Sequence, residues 1–324
     1  MQRPADKSGG ALFFDRSTMR ITTLGSAAGG GFPQWNCNCR NCSGVRNRTL
    51  RTQARTQSSI AVCGRDERQW ALVNASPDIL MQLQANPVLQ PARAPRDTGI
   101  AGIVLVDAQI DHTTGLFMLR ESTRPLPIWC TDNAYADLTR GNPIFAVLKH
   151  YCGVERQVMP IDGSAFRVAG VADIEWRALA VASKPAPYSP NREHPVAGDN
   201  VALVLRDAAD GRSVVYAPGL GAMEESVWHA MCSSACVLVD GTFWTDEEMI
   251  TLGMSRKRAR DIGHLPQSGP GGMLEWLERL PPQTRRILIH INNTNPILDE
   301  DSPERAQLNA RGIEVASDGM EIQL

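Results

Sequence analysis

Three cysteines lie within six residues near the beginning of the sequence. Cys37, Cys39 and Cys42 follow a glycine-rich segment with the spacing C-x-C-x-x-C, and we call residues 37–42 the cysteine knuckle. A tight turn can fold thiolates at this spacing over one ion, and Zn²⁺ takes four tetrahedral ligands, so a distant fourth ligand is needed. We expect a closed structural zinc site, which stabilises the fold and does no chemistry. A redox-active pair and accidental clustering are the alternatives.

A second set of candidate ligands is spread along the chain. Asp111 and His112 lie just after the apolar run Gly102–Val106, and His290 directly follows a second run, Ile287–Ile289. Such runs predict buried strands, and ligand groups in sheet proteins collect where strands end. One carboxylate and two imidazoles on one face of an ion form the facial triad of non-haem Fe(II) sites. We call these three residues the Asp–His centre; a hydrogen-bonded turn and ordinary structural histidines are the alternatives.

These ligands need strands and helices to position them. Short apolar runs recur along the chain, with helical segments between them. The pattern predicts strands over Arg20–Leu24, Ser58–Val62, Trp70–Asn74, Ile103–Val106, Val201–Leu205, Val214–Tyr216, Val237–Asp240, Ile287–His290 and Met320–Leu324. It predicts helices over Pro77–Ala85, Thr113–Arg120, Ala134–Leu138, Pro143–His150, Met223–Met231, Asp246–Leu252, Gly272–Leu280 and Pro303–Asn309. Strands outnumber long helices and single helices separate them, which favours an α+β fold.

Composition and charge disfavour several classes of protein. The 324 residues include 33 Lys and Arg against 35 Asp and Glu, a formal net charge of −2. This balance argues against a generic nucleic-acid or membrane-surface binder, which is usually strongly basic. Hydrophobic residues make up 43% of the chain, enough to bury a core, and no apolar run approaches the ~18 residues of a membrane helix. We expect a globular protein with no nucleic-acid and no membrane partner.

The start of the chain differs from the rest. Residues 1–18 carry charges and glycines and lack the apolar stretch of a secretory signal. We expect a disordered N-terminal extension there, followed by one domain over residues 19–324. Eight cysteines without an export signal indicate a reducing cytosol, where clustered thiols bind metal more often than they form disulfides. We therefore expect a cytoplasmic location.

Five arginines form a basic stretch that has no acidic residue from position 40 to position 65: Arg40, Arg46, Arg48, Arg51 and Arg55. Nucleic-acid binding is one interpretation, although the glycine and aromatic pattern of an RNA-binding module is missing. Paired guanidinium groups would also suit a carboxylate-rich substrate. A solvated face is the third interpretation.

Motifs along the chain resemble a known superfamily. The run DAQIDHTTGL resembles the metallo-β-lactamase superfamily, whose motif there is H-x-H-x-D-H, and the knuckle and the late strand–His turn resemble its phosphodiesterase-like and ribonuclease-Z-like branch. More narrowly, MRITTLGSAAGGGFPQWNCNCRNC, DAQIDHTTGL and LIHINNTNPIL resemble the coenzyme PQQ synthesis protein B family, from Met19 to Leu324. The resemblance implies a single-domain αββα sandwich.

The motif departs from the hydrolase pattern at two ligand positions. Asp107 and Gln109 stand where hydrolases have the histidines that hold the first ion of a dinuclear zinc site. Hydrolases also place a bridging Asp after a strand such as Val214–Tyr216, but residues 217–220 here are Ala-Pro-Gly-Leu. Hydrolysis with two metals is therefore disfavoured. The Asp–His centre survives and would hold one ion.

The resemblance implies an enzyme that makes pyrroloquinoline quinone (PQQ) from a ribosomal precursor peptide. The family resembles Fe(II)- and O₂-dependent hydroxylases, which oxidise the tyrosine ring of a Glu–Tyr-derived precursor. Asp111, His112 and His290 would then be the catalytic iron ligands, and the Glu–Tyr unit and O₂ the partners, with room for other PQQ-pathway proteins and a homodimer. One alternative is a non-catalytic carrier, which transports PQQ or its precursor towards the periplasm. A zinc phosphodiesterase-like hydrolase is the other.

The fourth ligand of the knuckle zinc stays open. In the phosphodiesterase-like relatives it is a His three residues after the late active-site His, and the corresponding residue here is Asn293. His264 is the other candidate, but it would equally suit an acid or base beside the active site or simple loop packing. Asp240 ends another buried strand, where it could contact the site or cap the strand.

Overall fold

Two β-sheets lie face to face in the computed structural model, which describes residues 19–324. The predicted extension, residues 1–18, lies outside the described residues. The strands are β1 Arg20–Gly25, β2 Ser59–Cys63, β3 Trp70–Val73, β4 Ile100–Val104, β5 Leu126–Cys130, β6 Val154–Val158, β7 Ile174–Ala180, β8 Val201–Asp207, β9 Ser213–Ala217, β10 Cys236–Asp240, β11 Arg285–Ile289, β12 Ile313–Val315 and β13 Glu321–Gln323. The helices are α1 Arg40–Asn47, α2 Ile79–Ala85, α3 Ile110–Thr113, α4 Asp132–Arg140, α5 Ile144–Leu148, α6 Glu225–Cys232, α7 Glu248–Thr251, α8 Met273–Glu278 and α9 Pro303–Ala310.

Each sheet combines an antiparallel part with a parallel part. The first sheet has the order β13-β1-β2-β3-β4-β5-β6 and the second β12-β11-β10-β9-β8-β7. Strands β3 to β6 pair in parallel in the first sheet, as do β9 to β12 in the second. The connections that leave the carboxyl ends of these parallel strands have room to carry ligand groups.

Three apolar clusters define the layers. One cluster lies between the sheets and includes Val62 and Trp176. A second packs the outer face of the second sheet against α6, α8 and α9, for example through Met231 and Leu277. The third packs the outer face of the first sheet against α2, α4 and α5, for example through Ile144. The predicted αββα sandwich is confirmed.

The predicted helix over Thr113–Arg120 is wrong in its form. The structure has the single turn α3 and then a 3₁₀ segment, Thr114–Leu119. Gly115 explains the tight path, because a Cβ atom there would lie 2.1 Å from the Ser76 carbonyl oxygen. The motif that carries Asp111 and His112 is thus pressed against the neighbouring loop.

Other predicted elements have shifted ends. Helix α2 begins at Ile79, two residues after the predicted start at Pro77. The Ser76 hydroxyl accepts a hydrogen bond from the Asp78 N–H, just before the helix. The helix predicted over Asp246–Leu252 is shorter, α7 Glu248–Thr251, and the Glu248 carboxylate accepts a hydrogen bond from the Trp244 N–H. Strands β5, β6, β7 and β12 were not predicted. Within residues 19–324, no helix is both long enough and apolar enough to span a bilayer.

Candidate metal centre

The three residues of the Asp–His centre lie together at the carboxyl ends of strands from both sheets. After β4 the chain passes Asp107 and enters α3, which carries Asp111 and His112. His290 directly follows β11, and its φ of 62° is a left-handed conformation, which is strained for a residue other than glycine. The hydroxyl of Thr242, just after β10, donates to the His290 carbonyl oxygen at 2.9 Å and stabilises this turn.

The ligand atoms of the Asp–His centre converge. Asp111 Oδ2 lies 3.3 Å from His290 Nε2 and 3.8 Å from His112 Nε2. The two imidazole rings meet edge to face with centroids 5.4 Å apart. Two atoms that each bind one ion at ~2.1 Å are separated by about 3.0 to 3.4 Å. The observed spacing is therefore close to that of a metal site.

Hydrogen bonds on the other ring nitrogens aim both Nε2 atoms inwards. His112 Nδ1 lies 2.9 Å from both carboxylate oxygens of Asp107, so it carries the proton. Thr242 Oγ1 lies 2.9 Å from His290 Nδ1 and, because its own hydrogen goes to a carbonyl, accepts the Nδ1 hydrogen. His112 Nε2 is buried and has no hydrogen-bond partner. In its neutral form each histidine thus presents a lone pair next to the Asp111 carboxylate.

Burial and neighbouring charges shift the pKa values of these groups. Burial lowers the pKa of His112, but the carboxylates of Asp107 and Asp111 outweigh burial and raise that pKa to about 9. Burial opposes ionisation of Asp111, yet the two imidazoles hold its pKa below its usual range. The pKa of His290 is lowered by its burial, with repulsion from His264 adding to the shift. Asp111 is therefore ionised and His290 neutral at neutral pH, the forms in which both bind metal, whereas His112 is protonated without an ion and must release a proton when a metal binds.

A second acid–histidine pair lies beside His290. The His264 ring stacks on the His290 ring with centroids 5.3 Å apart, and its Nδ1 lies 2.7 Å from Asp240 Oδ2. Asp240 is fully buried and also accepts from the N–H groups of Leu220 and Thr242, each at 2.9 Å. Burial lowers the pKa of His264, but Asp240 outweighs it and raises that pKa. Asp240 therefore positions His264, and the ligand atoms of Asp240, His264 and His290 also lie within 4.8 Å of one another, so this group shares His290 with the Asp–His centre.

The cysteine knuckle lies at the amino terminus of α1, with Cys39 as the N-cap residue. The three sulfur atoms lie within 4.8 Å of one another. Asn293 Nδ2 lies 3.1 Å from Cys37 Sγ, 3.7 Å from Cys39 Sγ and 3.3 Å from Cys42 Sγ. The Asn293 amide thus covers the fourth side of the cluster, and a flip of this amide would bring its oxygen to the same place as a ligand. His264 lies with Asp240 instead, so it is not the fourth ligand.

The two departures from the hydrolase motif have structural roles. Asp107 fixes the ring of His112, as described above. Gln109 turns away from the centre, and its Nε2 donates to the Lys184 carbonyl oxygen at 3.1 Å. The motif marks these two positions but not their roles, and no motif marks Thr242. The strand-end position of Thr242, two residues after Asp240, was the available signal.

A cavity of about 260 Å³ opens onto the Asp–His centre. Besides the centre itself, polar and cationic side chains line it: Gln109, Ser183, Lys184, Arg192, Asn200 and Asn292. A larger groove of about 740 Å³ lies on the outer side of the first sheet, but none of the candidate metal ligands lines it. The smaller cavity is therefore the one that lies next to the candidate metal ligands.

The predicted basic stretch is largely used within the fold. Arg40 lies 2.5 Å from Asp299, and Arg51 lies 2.8 Å from Glu300. Arg55 is buried and donates to a backbone carbonyl near the C-terminus. These contacts tie the segment after the knuckle to the C-terminal part of the chain. They remove the main support for a nucleic-acid or substrate-binding role of this stretch.

The chain is similar in sequence to proteins named coenzyme PQQ synthesis protein B. The profile of the β-lactamase superfamily domain matches residues 69–291. Coenzyme PQQ synthesis protein B of Azoarcus sp. (strain BH72) is 62% identical over 306 residues, which cover 94% of this chain and 100% of that protein. The protein of the same name from Methylobacillus flagellatus is 56% identical over 307 residues, with coverage of 94% and 100%.

Solved structures agree with this relationship. The crystal structure of Zn²⁺-bound PqqB from Methylobacterium extorquens superposes with a TM-score of 0.85 at 33% identity, and covers 94% of this chain and 100% of that chain. A diphosphatase of the PhnP family has a TM-score of 0.65 at 15% identity, with coverage of 94% and 98%, which shows the fold alone. The chain therefore belongs to the coenzyme PQQ synthesis protein B family, within the β-lactamase superfamily.

Proposed function

We propose that this chain is a non-haem Fe(II)-dependent hydroxylase, which oxidises the tyrosine ring of a Glu–Tyr-derived precursor. Its family gives the chain a role in PQQ biosynthesis. The observation that carries the finer proposal is the convergence of one carboxylate and two imidazoles beside a small cavity. Three ligands on one side of an ion leave positions free for O₂ and for substrate.

The Asp–His centre fits a divalent ion. A buried nitrogen without a hydrogen-bond partner costs roughly 1–3 kcal/mol, and His112 Nε2 is such an atom. Asp111, His112 and His290 would hold Fe(II), which supplies the activation of dioxygen when it is bound. Partners outside the ligand set, here Asp107 and Thr242, keep each imidazole in the correct tautomer and orientation.

The reaction needs a reductant. Hydroxylation converts a ring C–H bond to C–OH and reduces the second oxygen atom of O₂ to water, which takes two electrons and two protons. We assign the electrons to an external reductant of the ascorbate class and place the reaction in the reducing cytosol, where the knuckle thiols stay reduced. The chain's own task is to hold the ring in the cavity and to orient the ligands.

Two contacts support one ion at the centre over a hydrolytic pair. Gln109 is committed to the Lys184 carbonyl, and Asp107 is committed to His112. After β9, where a bridging carboxylate would be needed, residues 217–220 are Ala-Pro-Gly-Leu. A hydrolase of that pattern, which activates water between two metals, would lack the two histidines of the first ion and the bridging carboxylate.

The test is oxygen incorporation by the metal-loaded chain. The protein is loaded anaerobically with Fe(II), mixed with Glu–Tyr dipeptide and ascorbate, and exposed to O₂. We expect a product heavier by about 16 Da per turnover, labelled when ¹⁸O₂ is used. His290→Ala should abolish the product, whereas His229→Ala, which changes an exposed histidine on α6, should not.

Three results would contradict the proposal. Absence of labelled product with every reductant tested would rule out the hydroxylase function. Cleavage of bis-p-nitrophenyl phosphate, with two ions bound at the centre, would support the hydrolase instead. Tight binding of PQQ that survives His112→Ala, without O₂ uptake, would support a carrier.

A further inference from the structure

Two cations line the small cavity beside the Asp–His centre. Lys184 and Arg192 are partly buried and belong to the connection between β7 and β8. Among the described residues 19–324, no carboxylate lies within 4.0 Å of either charged group, whereas Arg40, Arg51 and Arg93 each form an ion pair. The guanidinium of Arg192 donates to the Pro185 carbonyl, which leaves other N–H groups for a ligand.

The connection is fastened to the motif that carries the metal ligands. Gln109 donates to the Lys184 carbonyl at 3.1 Å, and the Tyr188 hydroxyl donates to the Ala108 carbonyl. On the other side, the Ser183 hydroxyl donates to the Gly263 carbonyl at 2.8 Å, next to His264. Gln109, which occupies a metal-ligand position of the hydrolase motif, therefore helps to hold Lys184 and Arg192 beside the cavity.

The lining groups indicate the charge of the ligand. Asp107 is paired with His112 and Asp111 belongs to the metal centre, so neither opposes an incoming anion there. The remaining lining groups carry two positive charges or are neutral. Partial burial reduces screening by salt, so these cations attract an anion more strongly than surface lysines do. At about 260 Å³, the cavity admits a small molecule or the end of a peptide.

We propose that Lys184 and Arg192 form a carboxylate-recognition site, which binds the acidic groups of an aromatic amino-acid substrate and so presents its ring to the Asp–His centre. This inference rests on the proposed function for the identity of the site. Arg192 is a positioning residue with a planar donor pair suited to a carboxylate, and Lys184 adds a point charge. The two residues select substrates that carry at least two carboxylates over neutral analogues.

Binding to the Zn²⁺-loaded chain tests this inference without any oxidation, so its outcome is separate from that of the hydroxylase assay. Calorimetry compares Glu–Tyr dipeptide with the same dipeptide whose carboxyl groups are both converted to amides. We expect Glu–Tyr to bind about tenfold more tightly, and this preference to fall as salt rises from about 50 mM to about 500 mM. Lys184→Met and Arg192→Gln should each remove most of the preference, while Lys149→Met, at an exposed lysine, keeps it.

Equal affinity for the two dipeptides, or a preference that survives both substitutions, would overturn the inference. Phenyl phosphate is the third probe, because a phosphate ester could use the same cations. Tighter binding of phenyl phosphate than of Glu–Tyr, lost in Lys184→Met, would reassign the site to phosphate esters. Circular dichroism checks that both variants fold, and a third variant, Gln109→Ala, should weaken the preference by loosening the connection while both cations are kept.

Discussion

The cysteine knuckle and the Asp–His centre both bring three ligand groups together, but from very different distances along the chain. The knuckle collects three ligand groups from one turn of chain, whereas Asp111 and His290 are 179 residues apart and meet only after both sheets have formed. One segment serves both regions, because His290 belongs to the centre and Asn293, three residues later, covers the knuckle. We infer that the knuckle fixes the loop that delivers His290, so a local structural site supports a distant functional one.

Loss of a knuckle cysteine should have the largest effect. Cys42 is fully buried, and Cys42→Ser removes a thiolate from the proposed zinc site. We expect the loss of one zinc per chain and destabilisation by more than about 4 kcal/mol, since loss of a structural metal is among the most damaging single changes. Elemental analysis and urea unfolding measure both effects. Cys232→Ser is the control, and equal zinc content in the two variants would show that the knuckle holds no metal.

Glu248 contacts Thr294, next to the segment 290–293 that serves both regions, and should make the stability of the fold depend on pH. This carboxyl accepts hydrogen bonds from Thr294 and from the Trp244 N–H, and burial raises its pKa from 4.5 to about 7. Between these two values the folded chain binds more protons than the unfolded chain, so its free energy of unfolding falls as pH rises. The contribution lost across this window is at most about 3 kcal/mol.

Glu248→Gln removes this titration. We therefore expect the unfolding free energy of the wild type to fall relative to that of the variant as pH rises from 4.5 to 7. Urea unfolding at several pH values measures the difference, and Glu275→Gln, at an exposed position on α8, should show no such trend. A wild-type curve parallel to that of Glu248→Gln would mean that folding does not raise the pKa of this carboxyl.

Substitution of Asp107 should weaken metal binding at the Asp–His centre and leave metal binding at the knuckle unchanged. Asp107→Asn weakens the acceptor that fixes the His112 tautomer, and loss of such an orienting partner typically costs about 10- to 100-fold in metal affinity. Competition with a chelator measures the affinity of the centre, while the zinc of the knuckle should be retained. Asp66→Asn is the exposed control. If Asp107→Asn released knuckle zinc instead, the two regions would be coupled in the reverse direction.

The same contrast explains what could be predicted from the sequence. The knuckle was visible because its ligands are adjacent in the chain, and the Asp–His centre because strand ends mark where ligand groups meet. The role of Gln109 was not visible, since its partner Lys184 is 75 residues away. Strand β6 was missed because it is a half-exposed strand with a polar interior, Val-Glu-Arg-Gln-Val, which lacks the apolar signal. His264 could be placed only once tertiary structure had paired it with Asp240.

Substitution of Thr242 should have the smallest effect, and it tests whether the Asp–His centre depends on contacts of its own as well as on the knuckle. The Thr242 hydroxyl contacts His290 twice, once at the carbonyl oxygen and once at Nδ1, and also lies 3.1 Å from His264 Nδ1. Within residues 19–324, no hydrogen bond joins it to the knuckle. Thr242→Val keeps the shape of the side chain and removes both contacts with His290, each a neutral hydrogen bond worth about 1 kcal/mol. We expect metal affinity at the centre to fall by about threefold to tenfold with knuckle zinc unchanged. Thr245→Val is the matched exposed control. Unchanged affinity in Thr242→Val would show that the knuckle-held loop alone sets the orientation of His290.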